Sequence, residues 1–191
     1  MLAVHWMKSG KLIGITRHLP ALVLLPSLSG CWVSEQPLFA ASDFAHPLAQ
    51  GRYSACDSKL CDPKPATLRA LPSGFYELTR RQPGEDSDAV HQFALAPLTG
   101  AARENSFVAM AYDASDKRWT YMLIEIRGPA VAEFDPADCP DALAPTRGAG
   151  DVLGAAVADC IFPDRASLLR AMTGFSREAD GAAPDMTYTR Q

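Results

Sequence analysis

The stretch WTYMLIEIR at residues 119–127 carries the strongest secondary-structure signal in this chain. Met122, Ile124 and Ile126 form one apolar side of the stretch, and the other side becomes polar toward Arg127. A period of two residues is typical of a β-strand with one face on a core. The sequence therefore predicts a strand over 119–127.

Four further apolar segments surround this strand and are joined by short connections. They cover residues 75–79, 91–98, 106–112 and 130–134, and turn-forming residues such as Pro83-Gly84 and Gly128-Pro129 separate them. Parallel strand pairs need long crossover connections. The short connections therefore predict an antiparallel meander.

A single helix is predicted near the C-terminus, after a strand over 157–162. Asp164 is a suitable N-cap for a helix over 165–173, Leu168 and Met172 share its apolar face, and Gly174 is a stop signal. We expect this helix to cover the apolar face of the sheet, the face that contains Met122. The predicted fold class is α+β, a small and mostly antiparallel β-meander sheet with one covering C-terminal helix, stapled by disulfides.

The five cysteines of the chain are the basis for the predicted disulfides. If Cys31 has a separate role, four remain, and local pairing predicts Cys56–Cys61 and Cys139–Cys160. The alternative is a four-thiolate zinc site. Zinc ligands usually come in closely spaced pairs, which the twenty residues between Cys139 and Cys160 do not provide.

The first thirty residues have the layout of an export signal. Lys8, Lys11 and Arg17 precede an apolar run over 19–28, and no acidic residue occurs before Cys31. A transmembrane helix needs about 20 apolar residues, so the run is too short to span a membrane. Met7 is an alternative start to Met1.

The end of this run, Leu28-Ser29-Gly30-Cys31, resembles the lipobox of bacterial lipoproteins. The resemblance implies a diacylglyceryl group on the Cys31 thiol and cleavage just before it. Trp32 rather than Asp follows the cysteine, which in that family favours the outer over the inner membrane. The alternatives are an ordinary secretory signal with a coincidental cysteine, or a buried helix of a cytosolic protein.

These observations divide the chain into four parts. Residues 1–30 are the predicted signal peptide, 31–50 a lipidated tether, 51–175 the α+β domain and 176–191 a flexible tail. Cleavage leaves 15 of the 18 basic residues against 22 acidic ones, a formal charge of −7. A surface of this sign repels phosphate, which excludes nucleic-acid binding by charge neutralisation.

Few residues indicate catalysis. The exported part contains two histidines, His46 and His91, and we find no nucleophile elbow, zinc-protease, phosphate-loop or dinucleotide motif. Asp135, Asp138 and Asp141 could suggest calcium, but a helix cap explains the first two. We predict no catalytic residue, no metal site and no cofactor.

Aromatic residues in the strands suggest one candidate binding face. If Tyr76, Trp119 and Tyr121 share an outer face, they could stack against a glycan or a peptide. Aromatic side chains in strands are more often core residues. The segments Gly51-Arg52-Tyr53 and Gly74-Phe75-Tyr76, with CIFPDRASLL at 160–169, resemble uncharacterised exported proteins of proteobacteria, a resemblance that implies no activity.

The predicted protein is an envelope lipoprotein that faces the periplasm. Its partners would be the bilayer, through acylated Cys31, and an envelope protein or a glycan. The preferred function is a non-catalytic binding or structural module. The alternatives are an inhibitor of an envelope-acting enzyme, which would present the Cys56–Cys61 loop, and a hydrolase, which would need a pocket with converging titratable groups.

Replacing the predicted lipidation site tests the anchor. We expect Cys31→Ala to prevent cleavage by the lipoprotein peptidase, because the enzyme acts on the acylated cysteine. We also expect the variant to remain unlabelled when cells are grown with radioactive palmitate, because the acylated thiol is absent. Label on the variant equal to that on the wild type would contradict the anchor.

Overall fold

The computed structural model describes residues 32–81, 84–136 and 160–191, and in this part of the chain it contains ten β-strands, one α-helix and a short 3-10 helix at Ala41–Asp43. The strands are β1 (Trp32–Ser34), β2 (Gly51–Cys56), β3 (Ala66–Ala70), β4 (Tyr76–Arg80), β5 (Ala89–Pro97), β6 (Ser106–Asp113), β7 (Arg118–Arg127), β8 (Ala130–Phe134), β9 (Cys160–Ile161) and β10 (Met186–Arg190). The helix is α1 (Arg165–Glu178).

Eight of these strands close into an antiparallel β-barrel. Consecutive strands from β2 through β8 pair with each other, and β10 pairs with both β8 and β2. The predicted α+β fold with an open meander sheet was therefore wrong. The meander is present, but its two edges are joined by a strand from the end of the chain.

Both faces of β7 are buried, and this explains its long apolar run. Met122 and Ile124 point into the barrel, opposite Ala109 and Phe107 of β6. Tyr121 and Leu123 point outward, into the outer core. The helix covers this second face, so the expectation that it covers the Met122 face was wrong.

The outer core lies between the barrel wall and α1. Leu168 and Met172, both fully buried, pack there with Trp32 and Phe162. The predicted cap is confirmed, since Asp164 accepts a hydrogen bond from the Ser167 N–H at 2.7 Å. The helix continues beyond the predicted stop to Glu178. No helix in the described ranges combines the length and apolar character needed to cross a membrane.

Residues 32–50 are packed against the barrel, which corrects the predicted tether over 31–50. Strand β1 pairs antiparallel with β7 and parallel with β9, and Trp32 is only 1% exposed. Farther along, the Ala45 N–H donates to the Leu95 carbonyl at 2.8 Å. The large apolar residues Trp32, Val33 and Phe39 of this segment are buried.

Residues 176–191 are also part of the fold rather than a flexible tail. They contain the end of α1 and the whole of β10, whose Tyr188 is 7% exposed inside the barrel. The sequence of β10, MTYTR, has little apolar character. Its ordering depends on hydrogen bonds to two distant strands, which no local pattern reveals.

The Cys56–Cys61 disulfide is confirmed. Cys160 is buried and disulfide-bonded. Its predicted partner Cys139 lies outside the described residues, as do Asp138, Asp141 and Cys31. The Cys139–Cys160 pairing therefore stays a prediction.

Removing β10 tests whether the barrel depends on its closing strand. We expect a chain that ends at Pro184 to lose cooperative thermal unfolding, because β2 and β8 would both become unpaired edges. Circular dichroism during heating measures the transition. A chain lacking only Gln191 is the control, and a truncated chain that melts like the full one would contradict the role of β10.

Candidate functional site

The barrel encloses a cavity of about 590 Å³ to which every strand of the barrel contributes. Inward-facing side chains line it, most of them apolar: Tyr53, Leu68, Leu78, Phe93, Ala109, Ala111, Met122, Ile124, Val131 and Tyr188. Eight-stranded barrels are just wide enough to be filled by side chains or to hold one small ligand. Here the inward side chains leave part of the interior open.

Small side chains create the space. On β6 the inward positions in the middle of the barrel are Ala109 and Ala111, which lie opposite Leu95 and Phe93 of β5. A larger residue at either alanine would fill the volume that these neighbours leave open. The cavity is thus encoded by two small residues at alternate positions of one strand.

The end of the barrel at which β2 begins, called the lower end here, is closed by the segment that leads into β2. The Leu48 N–H donates to Tyr76 Oη at 3.0 Å, and Leu48 lines the cavity. The Tyr53 hydroxyl donates to the Ala49 carbonyl at 2.5 Å. These contacts hold residues 48–49 across the base, so the cavity opens at the other, upper end.

The cavity mouth is formed by the hairpins β4–β5 and β6–β7. Val90 is 58% exposed and Tyr112 is 50% exposed at this rim. His91 lies beside them on an inward-facing position of β5, and burial together with the nearby Arg80 charge lowers the pKa of its imidazole. His91 is therefore neutral at physiological pH.

Asp113 and Ser115 also line the mouth, within the β6–β7 turn. The Ser115 hydroxyl and the Ser115 N–H both donate to Asp113 Oδ1, at 2.5 and 2.8 Å, and these bonds lower the pKa of the Asp113 carboxyl. A carboxylate that accepts from the following backbone is typical of an Asx turn. The contact stabilises the hairpin.

A polar network lies at the upper end of the cavity, between β4, β8 and β10. Arg80 Nη1 donates to Tyr188 Oη at 3.1 Å, and the Tyr188 hydroxyl donates to Glu133 Oε2, also at 3.1 Å. Arg80 Nε is 3.1 Å from Asp62 Oδ2, and the Asp62 side chain is only 2% exposed. The network therefore fixes the orientation of one cation, one phenol and two carboxylates.

Glu133 has unusual electrostatics for a carboxyl group. Burial, reinforced by the negative charge of Asp135, raises the pKa of its carboxyl to about 7. The hydrogen bond from Tyr188 and the charge of Arg80 oppose this shift. Glu133 therefore exchanges its proton near neutral pH.

The structure does not bring Tyr76, Trp119 and Tyr121 together on one exposed face. Tyr76 is fully buried inside the barrel, stacked on Phe93 at 5.5 Å between ring centroids. Tyr121 is buried in the outer core, with its Oη 2.7 Å from Ser34 Oγ. Trp119 is half-buried, and its ring lies 5.2 Å from that of Tyr112.

Sequence reasoning missed Arg80, Glu133 and Tyr188. One signal was available, because in β8 the alternation places Glu133 on the same side as Val131, an apolar residue. A charged residue at an inward position of a strand indicates a buried polar site. In the described part of the chain, no group of three or more His, Cys, Asp or Glu side chains is arranged to hold a metal ion.

The raised pKa of Glu133 predicts a pH-dependent cost in stability. Between its unfolded value of about 4.5 and its folded value of about 7, the folded state binds more protons, so this residue lowers stability as pH rises. We expect Glu133→Gln to be more stable relative to wild type at pH 8 than at pH 5, by on the order of 2 kcal/mol.

Urea unfolding at both pH values measures this difference. Glu77→Gln, on the outer side of β4 where Glu77 pairs with Arg69 at 2.7 Å, is the matched control. An equal stability change for Glu133→Gln at the two pH values would rule out the titration near neutrality.

Comparisons of this chain with protein-family models, with curated proteins and with solved structures found no match. The geometry of the cavity and the chemistry of its lining therefore carry the functional proposal.

Proposed function

We propose that this protein is a non-catalytic binding protein that holds one small, largely apolar molecule inside its barrel. The observation that carries the proposal is the cavity of about 590 Å³ lined by the barrel strands. Binding sites for small molecules are typically of about 300–1,000 Å³, mainly apolar, with a few fixed polar groups. The cavity has each of these properties.

The apolar wall provides affinity. Leu78, Phe93 and Met122 are half-buried around the open part of the cavity, so a ligand would remove their exposed surface from water. Such burial contributes roughly 25 cal/mol per Å² of apolar surface, less the cost of immobilising the ligand.

The polar network provides orientation. Arg80, Tyr188 and Glu133 are hydrogen-bonded in series before any ligand binds. A group that is already held in place loses little conformational entropy on binding. A ligand with one polar end would therefore enter with that end toward the network and its apolar part toward Tyr53 and Leu68.

For the cellular location we propose a lipid anchor on Cys31 in a bacterial envelope, with the barrel facing the periplasm. The support is the likeness of Leu28-Ser29-Gly30-Cys31 to a lipobox. Trp32 is buried in the outer core, so an anchor on the preceding residue would leave almost no linker. The barrel would then lie directly at the membrane surface, close to any amphipathic ligand dissolved there.

A second candidate function is inhibition of an envelope enzyme. The Cys56–Cys61 loop supports it, because Asp57 Oδ1 accepts from the Lys59 and Leu60 N–H groups at 2.6 Å and makes the loop rigid. Leu60, at 57% exposure, would be the contact residue. This candidate predicts that binding to the enzyme is lost in Leu60→Ser, whereas the cavity proposal predicts no effect on ligand binding.

Filling the cavity tests the preferred function. We expect the purified full chain to bind the neutral fluorescent probe N-phenyl-1-naphthylamine, and Ala111→Trp to weaken this binding at least tenfold, because the indole would occupy the space opposite Phe93. The matched control is Thr67→Trp on the outer face of β3, where the residue is exposed. Equal probe affinity for both variants would contradict binding in the barrel.

A further inference from the structure

We propose that the ligand of this barrel is cationic: an amphipathic amine whose ammonium group pairs with Glu133 while its apolar chain fills the cavity. This inference rests on the proposed function and adds the charge of the ligand. Two observations carry it: the Arg80 charge is already balanced by the buried Asp62 carboxylate, and Glu133 forms no salt bridge within the described part of the chain.

Arg80 is the arginine among the side chains that line the cavity. Its guanidinium contacts the Asp62 carboxylate twice, through Nε at 3.1 Å and Nη2 at 3.5 Å, and its Nη1 donates to Tyr188. An anionic ligand would have to compete for this guanidinium with a carboxylate that is almost completely buried. Leaving that carboxylate buried and unpaired costs several kcal/mol, so a fatty acid or a phosphate is a poor match for this site.

Glu133 forms no salt bridge with any residue that the structure describes, and the nearby Arg80 charge lowers its pKa only in part. Its described hydrogen bond comes from a neutral phenol, Tyr188. Its acidic neighbours add negative potential, since the pKa of Glu133 is raised by Asp135 and Asp185 as well as by burial. Asp185 directly precedes β10, and its Oδ2 accepts from the Asp135 N–H at 2.8 Å. An ammonium group at this position would reduce the repulsion between the carboxylates of Glu133, Asp135 and Asp185. It would also donate a charge-assisted hydrogen bond to Glu133.

The charges around the mouth are mainly acidic on the β4–β5 side, whereas in the β6–β7 turn Lys117 and Arg118 offset Asp113 and Asp116. Asp113 lines the cavity as a carboxylate, and His91 is neutral. The β4–β5 connection contains three acidic residues against one arginine over residues 81–88. The acidic excess on the β4–β5 side would raise the local concentration of cations there.

Three linear ligands of ten carbon atoms each test the charge. Decylamine, decanol and decanoate displace the neutral probe from the purified full chain at pH 8, each below its micellar concentration. We expect decylamine to bind at least tenfold more tightly than decanol, and decanoate more weakly than decanol. We also expect the preference for the amine to fall about tenfold between pH 8 and pH 5.5, because Glu133 gains a proton while the amine keeps its charge.

Two variants locate the preference. In Glu133→Gln the amine should bind about tenfold more weakly and decanol within twofold of wild type. Glu77→Gln, the same substitution on the outside of the barrel, should change neither. Asp113→Asn tests the contribution of the mouth apart from that of the polar network. We expect it to reduce the preference for decylamine over decanol by less than threefold.

The outcomes separate the two proposals. If the probe and all three ligands fail to bind, the proposed function is wrong. If decanol binds but decylamine binds no better, or if decanoate binds best, the cavity proposal stands and the cationic ligand is overturned. An amine preference that persists unchanged in Glu133→Gln would also overturn it, and the comparison of ligands on the wild type remains decisive if that variant does not fold.

Discussion

The pairing of β10 with both β8 and β2 is the constraint on which the rest of the structure depends. Without it, the meander would be an open sheet with two unpaired edges and no enclosed volume. The same strand places Tyr188 inside the barrel, where it contacts Arg80 from β4 and Glu133 from β8. Closure and assembly of the polar network are therefore one structural event.

The barrel wall separates two apolar regions with different packing. Outside, α1, β1 and β9 are packed against the outward side chains of β6 and β7, with large residues such as Trp32 and Met172 fully buried. Inside, Ala109 and Ala111 leave space. The molecule therefore has a stabilising core that is distinct from its internal cavity, and a ligand in the cavity would not require the core to rearrange.

The buried charges lower the stability of the fold, which supports a functional interpretation. An ion pair as buried as Arg80 and Asp62 gains little stability over apolar side chains of similar volume, because both ions lose their hydration. Glu133 adds a carboxyl whose ionisation is opposed by burial. A barrel selected for stability alone would have apolar residues here, whereas a barrel that must orient a polar group in an apolar cavity needs fixed charges.

The sequence by itself determined the local features: the strands around residues 119–127, the capped start of α1 and the Cys56–Cys61 bridge, each encoded within a few neighbouring residues. Only the tertiary structure decided that the sheet closes, that both faces of β7 are buried, and that Arg80, Glu133 and Tyr188 meet. The five residues of β10 carry too little apolar periodicity to be recognised as a strand. Their order comes from hydrogen bonds to segments more than fifty and more than a hundred and thirty residues away, and pairing over such distances leaves no local pattern.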